Sequence, residues 1–183
     1  MSDWPVGIST GSFYKQSFFD CIDDIVEAGF SMLEICSSPF HLDYHDMDAI
    51  ARAARMLSEL GIEAYSFHAP FADDIDITAP DPAVRQRAEN EMKQAARAAA
   101  ALRVRHFVVH PGPEKARAPE PTERMTRLLN GASILQRVAV LCHDVGVGFV
   151  LENMLPHLMF GNLPDMLWMM GALTEMRVGT CLD

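Results

Sequence analysis

Phe107-Val108-Val109-His110-Pro111-Gly112 is a short apolar run that closes on a histidine and stops at a proline. Aromatic and β-branched residues in such a run favour a strand covered on both faces. Proline directly after His110 pushes the chain out of the helical region and ends the strand. The same shape recurs on either side: Tyr65-Ser66-Phe67-His68 precedes Ala69-Pro70, Phe149-Val150-Leu151-Glu152 precedes Asn153, and Val178-Gly179-Thr180-Cys181-Leu182 leads to Asp183. The spacings are 110 − 68 = 42, 152 − 110 = 42 and 183 − 152 = 31 residues. Each interval holds a strand, a helix and two loops, so a parallel α/β fold would bring all four side chains to one sheet edge, the C-terminal edge where such folds keep their chemistry.

Outward from this repeat, strands are expected at 6–10, Met32–Cys36, 62–67, 104–109, 147–151 and 178–182. Five helices fit between them. Ser17 with Asp20 makes a capping-box-like start for the first, and Gly29 ends it. The second begins near Asp46, carries Ile50, Ala54 and Leu57 on one stripe, and stops at Gly61. Asp81-Pro82 is a strong start for the third. The fourth and fifth are expected at 121–143 and 164–170. An open doubly wound sheet and a (β/α)8 TIM barrel both suit this alternation. The first usually carries a glycine-rich phosphate loop, and neither G-x-G-x-x-G nor G-x-x-x-x-G-K-[ST] occurs. The six units suit the barrel period, and a complete barrel takes about 250 residues. The expectation is therefore an α/β, (β/α)8 TIM barrel that is incomplete here, with about six strands and five helices, ending after strand six. Residues 1–183 then form one barrel domain lacking its C-terminal quarter, with the proline-rich stretch 111–121 as a strand-to-helix loop on the catalytic side.

The chain has 183 residues, of which 49% are hydrophobic, enough to bury one core. A formal net charge of −10 disfavours nucleic acid and anionic membrane as partners. Cys21, Cys36, Cys142 and Cys181 form no C-x-x-C pair and lie in apolar stretches, as buried thiols of a reducing, cytoplasmic compartment do. Residues 1–5 show no leader-like basic and apolar pattern. The apolar stretch 166–173 is too short to span a bilayer.

Two histidines and two carboxylates at neighbouring strand ends make a nitrogen–oxygen donor set suited to Zn²⁺, Mn²⁺, Fe²⁺ or Co²⁺. His68, His110, Glu152 and Asp183 are the candidate metal ligands. A carboxylate inside an apolar strand is costly without a partner, so Glu152 requires a metal, a cation or a proton-transfer role. A buried salt bridge is the plainer alternative for Glu152, and a frayed end for Asp183. Glu34 faces the same side and is a candidate substrate contact, with an ion pair as the alternative. His157 is a second candidate contact, with a solvated loop histidine as the alternative. His41, His45, His106 and His143 have no placement that supports chemistry. Arg85, Arg87, Lys93, Arg97, Arg103 and Arg105 lie mostly on or after the third helix and suggest a solvated face.

His68-Ala69-Pro70, His110-Pro111-Gly112, Glu152-Asn153 and Cys181-Leu182-Asp183 together resemble the strand-end motifs of the xylose isomerase-like TIM barrels. That superfamily holds sugar and sugar-phosphate isomerases and epimerases, and the endonuclease IV branch of DNA repair enzymes. The resemblance implies that Glu152 and Asp183 are metal carboxylates and that Glu152 also exchanges protons with substrate. It implies that His68 and His110 line the substrate pocket, as in the sugar branch, or bind an additional zinc, as in the nuclease branch. The family's ligands on strands seven and eight have no counterpart in the sequence, and neither does its histidine after the strand-six aspartate. The residues after Glu152-Asn153 are closer to the sugar branch. The implied function is a metal-dependent isomerase or epimerase of a small sugar or related hydroxycarbonyl compound, acting through an enediolate with Mn²⁺, Mg²⁺, Zn²⁺ or Co²⁺. The rivals are a zinc phosphodiesterase of abasic DNA and an inactive truncated fragment. Unpaired strand edges in an open barrel lead to an expectation of homo-oligomers.

Overall fold

Six strands, all parallel, lie side by side in the order in which the chain forms them. The computed structural model describes residues 5–113 and 119–183. Residues 1–4, and 114–118 of the expected loop, lie outside them. The elements are β1 (Ile8–Ser9), α1 (Phe18–Glu27), β2 (Met32–Cys36), α2 (Pro39–Leu42), α3 (Met47–Leu60), β3 (Glu63–His68), α4 (Pro82–Ala101), β4 (His106–Val109), α5 (Pro121–Asp144), β5 (Gly148–Glu152), α6 (Leu163–Ala172) and β6 (Val178–Cys181). The sheet is the six-stranded part of a TIM barrel. A 3-10 turn at Thr10–Phe13 and the one-turn α2 are additions that no apolar periodicity marks.

Helix boundaries follow from local chemistry. Ser17 accepts from the Phe19 amide, Asp46 from those of Asp48 and Ala49, and Asp81 from that of Ala83. Each satisfies amides that have no partner within the helix. Gly61 takes φ 68° at the end of α3, the left-handed conformation glycine adopts without a Cβ penalty. β4 is shorter than expected because Arg103 turns through φ 59° and the Val104 amide still bonds back to Ala99 at the end of α4.

The sheet has two unlike faces. Alternation places Leu33, Ile35, Phe67, Phe107, Phe149 and Leu151 toward the helices, and all are buried. Phe67 and Phe107 are register partners and stack with centroids 6.3 Å apart. Burial on both faces, the sequence expectation, is complete on this side and partial on the other, where Ser66, Val108 and Glu152 are buried. On the inner face Glu34, Cys36, His68 and Val150 are half-buried. Six strands leave it open enough for polar groups to reach solvent.

Between α4 and α5, the buried Glu89 takes two hydrogen bonds from Arg137, at 2.8 and 2.6 Å, and lies 2.6 Å from Lys93. These cations hold its carboxyl down at about 2 against the upward push of burial. Cys21 and Cys142 are buried, while Cys36 and Cys181 are partly exposed; all four are free thiols. Among the described residues, no helix is long and apolar enough to cross a membrane.

Candidate metal centre and adjoining cavity

β3 ends on His68, β5 ends on Glu152, and His110 directly follows β4. Three adjacent parallel strands thus deliver two imidazoles and a carboxylate to one edge. One ligand atom from each lies within 4.8 Å of the others. His68 Nε2 is 3.0 Å from Glu152 Oε2, and His110 Nε2 is 3.3 Å from the same oxygen. The rings of His68 and His110 are perpendicular, 4.8 Å between centroids. Phe71 packs on both, at 5.0 and 5.1 Å.

The orientation of each group has a cause. His68 Nδ1 donates to the Ala69 carbonyl at 2.8 Å, which turns Nε2 toward Glu152. A backbone carbonyl on the far nitrogen is the arrangement that fixes the tautomer of a metal-binding histidine. His110 Nδ1 is buried and, among the described residues, lacks a hydrogen-bond partner. Burial presses the His68 pKa down, yet Glu152, the Ala69 carbonyl and the charge of Glu34 raise it overall. Burial pushes Glu152 up, but His110 and His68 override it and hold the carboxyl at about 2. Two imidazoles around a carboxylate form a donor set that fits a divalent cation. Cys181, beside this cluster, is pushed up to about 11 by burial and then by Glu152, Glu34 and Asp183, so it stays a thiol.

The other candidates are placed differently. Asp183 follows β6 and lies outside the three-ligand group; the Asn153 side chain holds its backbone. His157 is exposed in the loop after β5 and does not line the cavity beside His68. Glu34 sits in mid-strand on β2, where Ser9 donates to Oε1 at 2.9 Å and Ser66 to Oε2 at 3.1 Å.

His68 and Glu34 form part of the wall of a cavity of about 820 Å³. The opposite wall comes from Tyr44 and His45, before α3, and from Arg87 and Glu91 on α4. Tyr44 is buried and donates to Glu91 Oε2 at 2.6 Å, and His45 Nε2 is 2.9 Å from the same atom. Burial, then Glu91, raises the Tyr44 pKa, so its hydroxyl keeps its proton. Sequence reasoning left this wall out, placing His45 away from chemistry and Arg87 on a solvated face. Arg87 and Glu91 lie one helical turn apart, which was the available signal; the pairing with Tyr44 spans 47 residues and leaves no local trace.

The profile of a family described as Xylose isomerase-like TIM barrel matches residues 22–183. No curated protein matches the chain. Among solved structures, an L-ribulose 3-epimerase superposes with a TM-score of 0.80 at 21% identity, over 97% of this chain and 60% of that one. A D-psicose 3-epimerase solved with D-fructose gives 0.80 at 14%, over 97% and 62%. The 3-keto-D-glucoside 4-epimerase YcjR from E. coli gives 0.79 at 14%, over 99% and 68%. The chain therefore spans about three fifths of the length of the first two. At these identities the likeness shows the fold.

Proposed function

The chain belongs to the xylose isomerase-like TIM barrel family, and from that premise we propose that it serves as a metal-dependent isomerase or epimerase of a small sugar or related hydroxycarbonyl compound. The observation that carries the reading is the meeting of His68, His110 and Glu152 within 4.8 Å, with His68 shared by the adjoining cavity. The names of the superposed epimerases support the same chemistry. Residues 1–183 are taken as one barrel domain, and its open β1 and β6 edges as the place where copies would join.

In this reading His68, His110 and Glu152 hold the ion, with Asp183 as a further carboxylate at the neighbouring strand end. When bound, the ion supplies Lewis-acid polarisation of a substrate carbonyl. Glu152 takes the proton from the carbon beside that carbonyl, leaving an enediolate; returning it to the former carbonyl carbon, as the hydroxyl proton passes to the other oxygen, moves the carbonyl by one carbon, whereas epimerisation takes a second acid on the opposite face. With its carboxyl held at about 2, Glu152 is ionised and free to accept a proton. Phe71 packs against the His68 ring, and the Ala69 carbonyl keeps that ring in place. Glu34 and His157 are the remaining proposed substrate contacts.

The test is solvent deuterium wash-in at the carbon next to the carbonyl, followed by NMR across a panel of ketoses with Mn²⁺ or Zn²⁺ added. Wild-type protein is expected to exchange at least one of them and Glu152→Gln none; exchange undiminished in Glu152→Gln overturns the assignment. A phosphodiesterase would use the same three ligands, but Glu34, Asp74 and Glu91 on the cavity wall repel a phosphodiester. Cleavage of abasic duplex that stops on adding a chelator would favour it instead.

A further inference from the structure

Ser9, Glu34 and Ser66 are register partners on three neighbouring strands. A bulge makes this possible. Leu33 pairs with Ala64 but Glu34 pairs with Ser66, so Tyr65 is the extra residue on β3. Without that shift Glu34 would stand opposite Tyr65, whose side chain faces outward and is exposed. The bulge instead brings in the buried Ser66, and both serines donate to the carboxylate. The next level up is Cys36 beside His68, two residues further on each strand and so about 6.6 Å higher. Glu34 is thus one layer below His68, on the wall of the same cavity.

This layer offers only acceptors. Ser9 spends its proton on Glu34 and its oxygen on the Gly11 amide. Ser66 spends its proton on Glu34. A carboxylate has about four acceptor positions, and each Glu34 oxygen takes one serine. Among the described residues no cation pairs with it. The remaining acceptor positions suit a ligand that brings O–H donors. Asp74 and Glu91 add two more carboxylates to the wall, and Arg87, at the exposed rim, is its one guanidinium among the described residues.

Resting on the sugar reading above, we infer that Glu34, oriented by Ser9 and Ser66, is a specificity-determining residue that binds hydroxyls of an uncharged, polyhydroxylated substrate and rejects its phosphorylated counterpart. A hydroxyl gains a charge-assisted hydrogen bond there, whereas a phosphate brings a second negative charge and no compensating donor.

The test is calorimetry on the full chain loaded with Zn²⁺, using D-fructose and D-fructose 6-phosphate as probes. Wild-type protein is expected to bind D-fructose and to bind the phosphate ester at least tenfold more weakly. Glu34→Gln keeps the shape and lets one serine reverse its hydrogen bond, so it is expected to fold, and to lose about tenfold or more in D-fructose affinity. Zinc stoichiometry is expected to stay as in wild type. Ser66→Ala, which leaves the carboxylate charged but half-held, is expected to lose less. A phosphate ester that binds as well as the free sugar, or a Glu34→Gln affinity equal to wild type, overturns the inference and leaves the metal reading intact. Absence of zinc uptake overturns the metal reading while a Glu34-dependent affinity for D-fructose still supports the inference. Zinc uptake with neither sugar bound overturns the inference and the sugar reading together.

Discussion

Asn153 and Asp183 hold each other by two hydrogen bonds: the Asp183 amide donates to Asn153 Oδ1 at 3.1 Å, and Asn153 Nδ2 donates to the Asp183 carbonyl at 2.9 Å. A side-chain amide here does what a neighbouring strand does elsewhere, carrying the β5–β6 pairing two residues past Cys181. Asn153→Ala is expected to release this end locally, at a cost of about 1–2 kcal/mol for two hydrogen bonds. Hydrogen exchange at the Asp183 amide is expected to accelerate while core amides such as Phe107 stay unchanged. Equal acceleration throughout would mean that the pair supports the whole fold.

The loop after Glu152 is set by tight contacts. A Cβ on Gly161 would lie 1.9 Å from the Leu155 carbonyl oxygen, and Phe160 beside it adopts φ 68° while fully buried. Gly161→Ala is expected to destabilise by about 2 kcal/mol or more, as overpacking against backbone does. Thermal melts with and without zinc check it, and a melting temperature within a degree of wild type would contradict the geometry.

The Glu89 carboxyl has a folded pKa of about 2 against an ordinary 4.5. A depressed carboxylate pKa stabilises the native state above the unfolded value, and that contribution fades as pH falls from about 4.5 to about 2. With Arg137 and Lys93 partly exposed, the contribution is on the order of 2 kcal/mol after allowance for solvent screening. Urea titrations at pH 7, 4 and 3 are expected to show wild type losing this increment and Glu89→Gln starting without it. Parallel pH curves for the two proteins would rule it out.

His110→Ala removes one of the three candidate ligands and leaves His68 and Glu152. Zinc affinity is expected to fall by more than the 10–100-fold usual for an outer partner of a ligand. Competition with a chelating dye measures it, and unchanged affinity would place the ion elsewhere.

Helix starts were the most legible part of the sequence, because a cap is local chemistry. Ser17, Asp46 and Asp81 each occupy the expected position. The meeting of His68, His110 and Glu152 was legible too, since a regular parallel repeat turns equal spacing into adjacency. The bulge at Tyr65 was not: nothing in Glu63-Ala64-Tyr65-Ser66 distinguishes a bulged strand from a straight one. It comes from fitting β3 against β2, and it is what gives Glu34 a second serine. The Tyr44–Glu91 contact was hidden for the same reason, as it depends on how the segment before α3 lies against α4.

Strand order that repeats chain order has a consequence for how the molecule is made. Each strand finds its partner in the strand synthesised just before it, so β3 can dock as soon as the β2–α3 unit exists, and β4 after that. This arrangement suits assembly from the N-terminus while translation proceeds. Glu34 would meet Ser9 first, then Ser66. The histidines and Glu152 would come together only when β5 is laid down, so the acceptor layer would be built before the metal ligands above it.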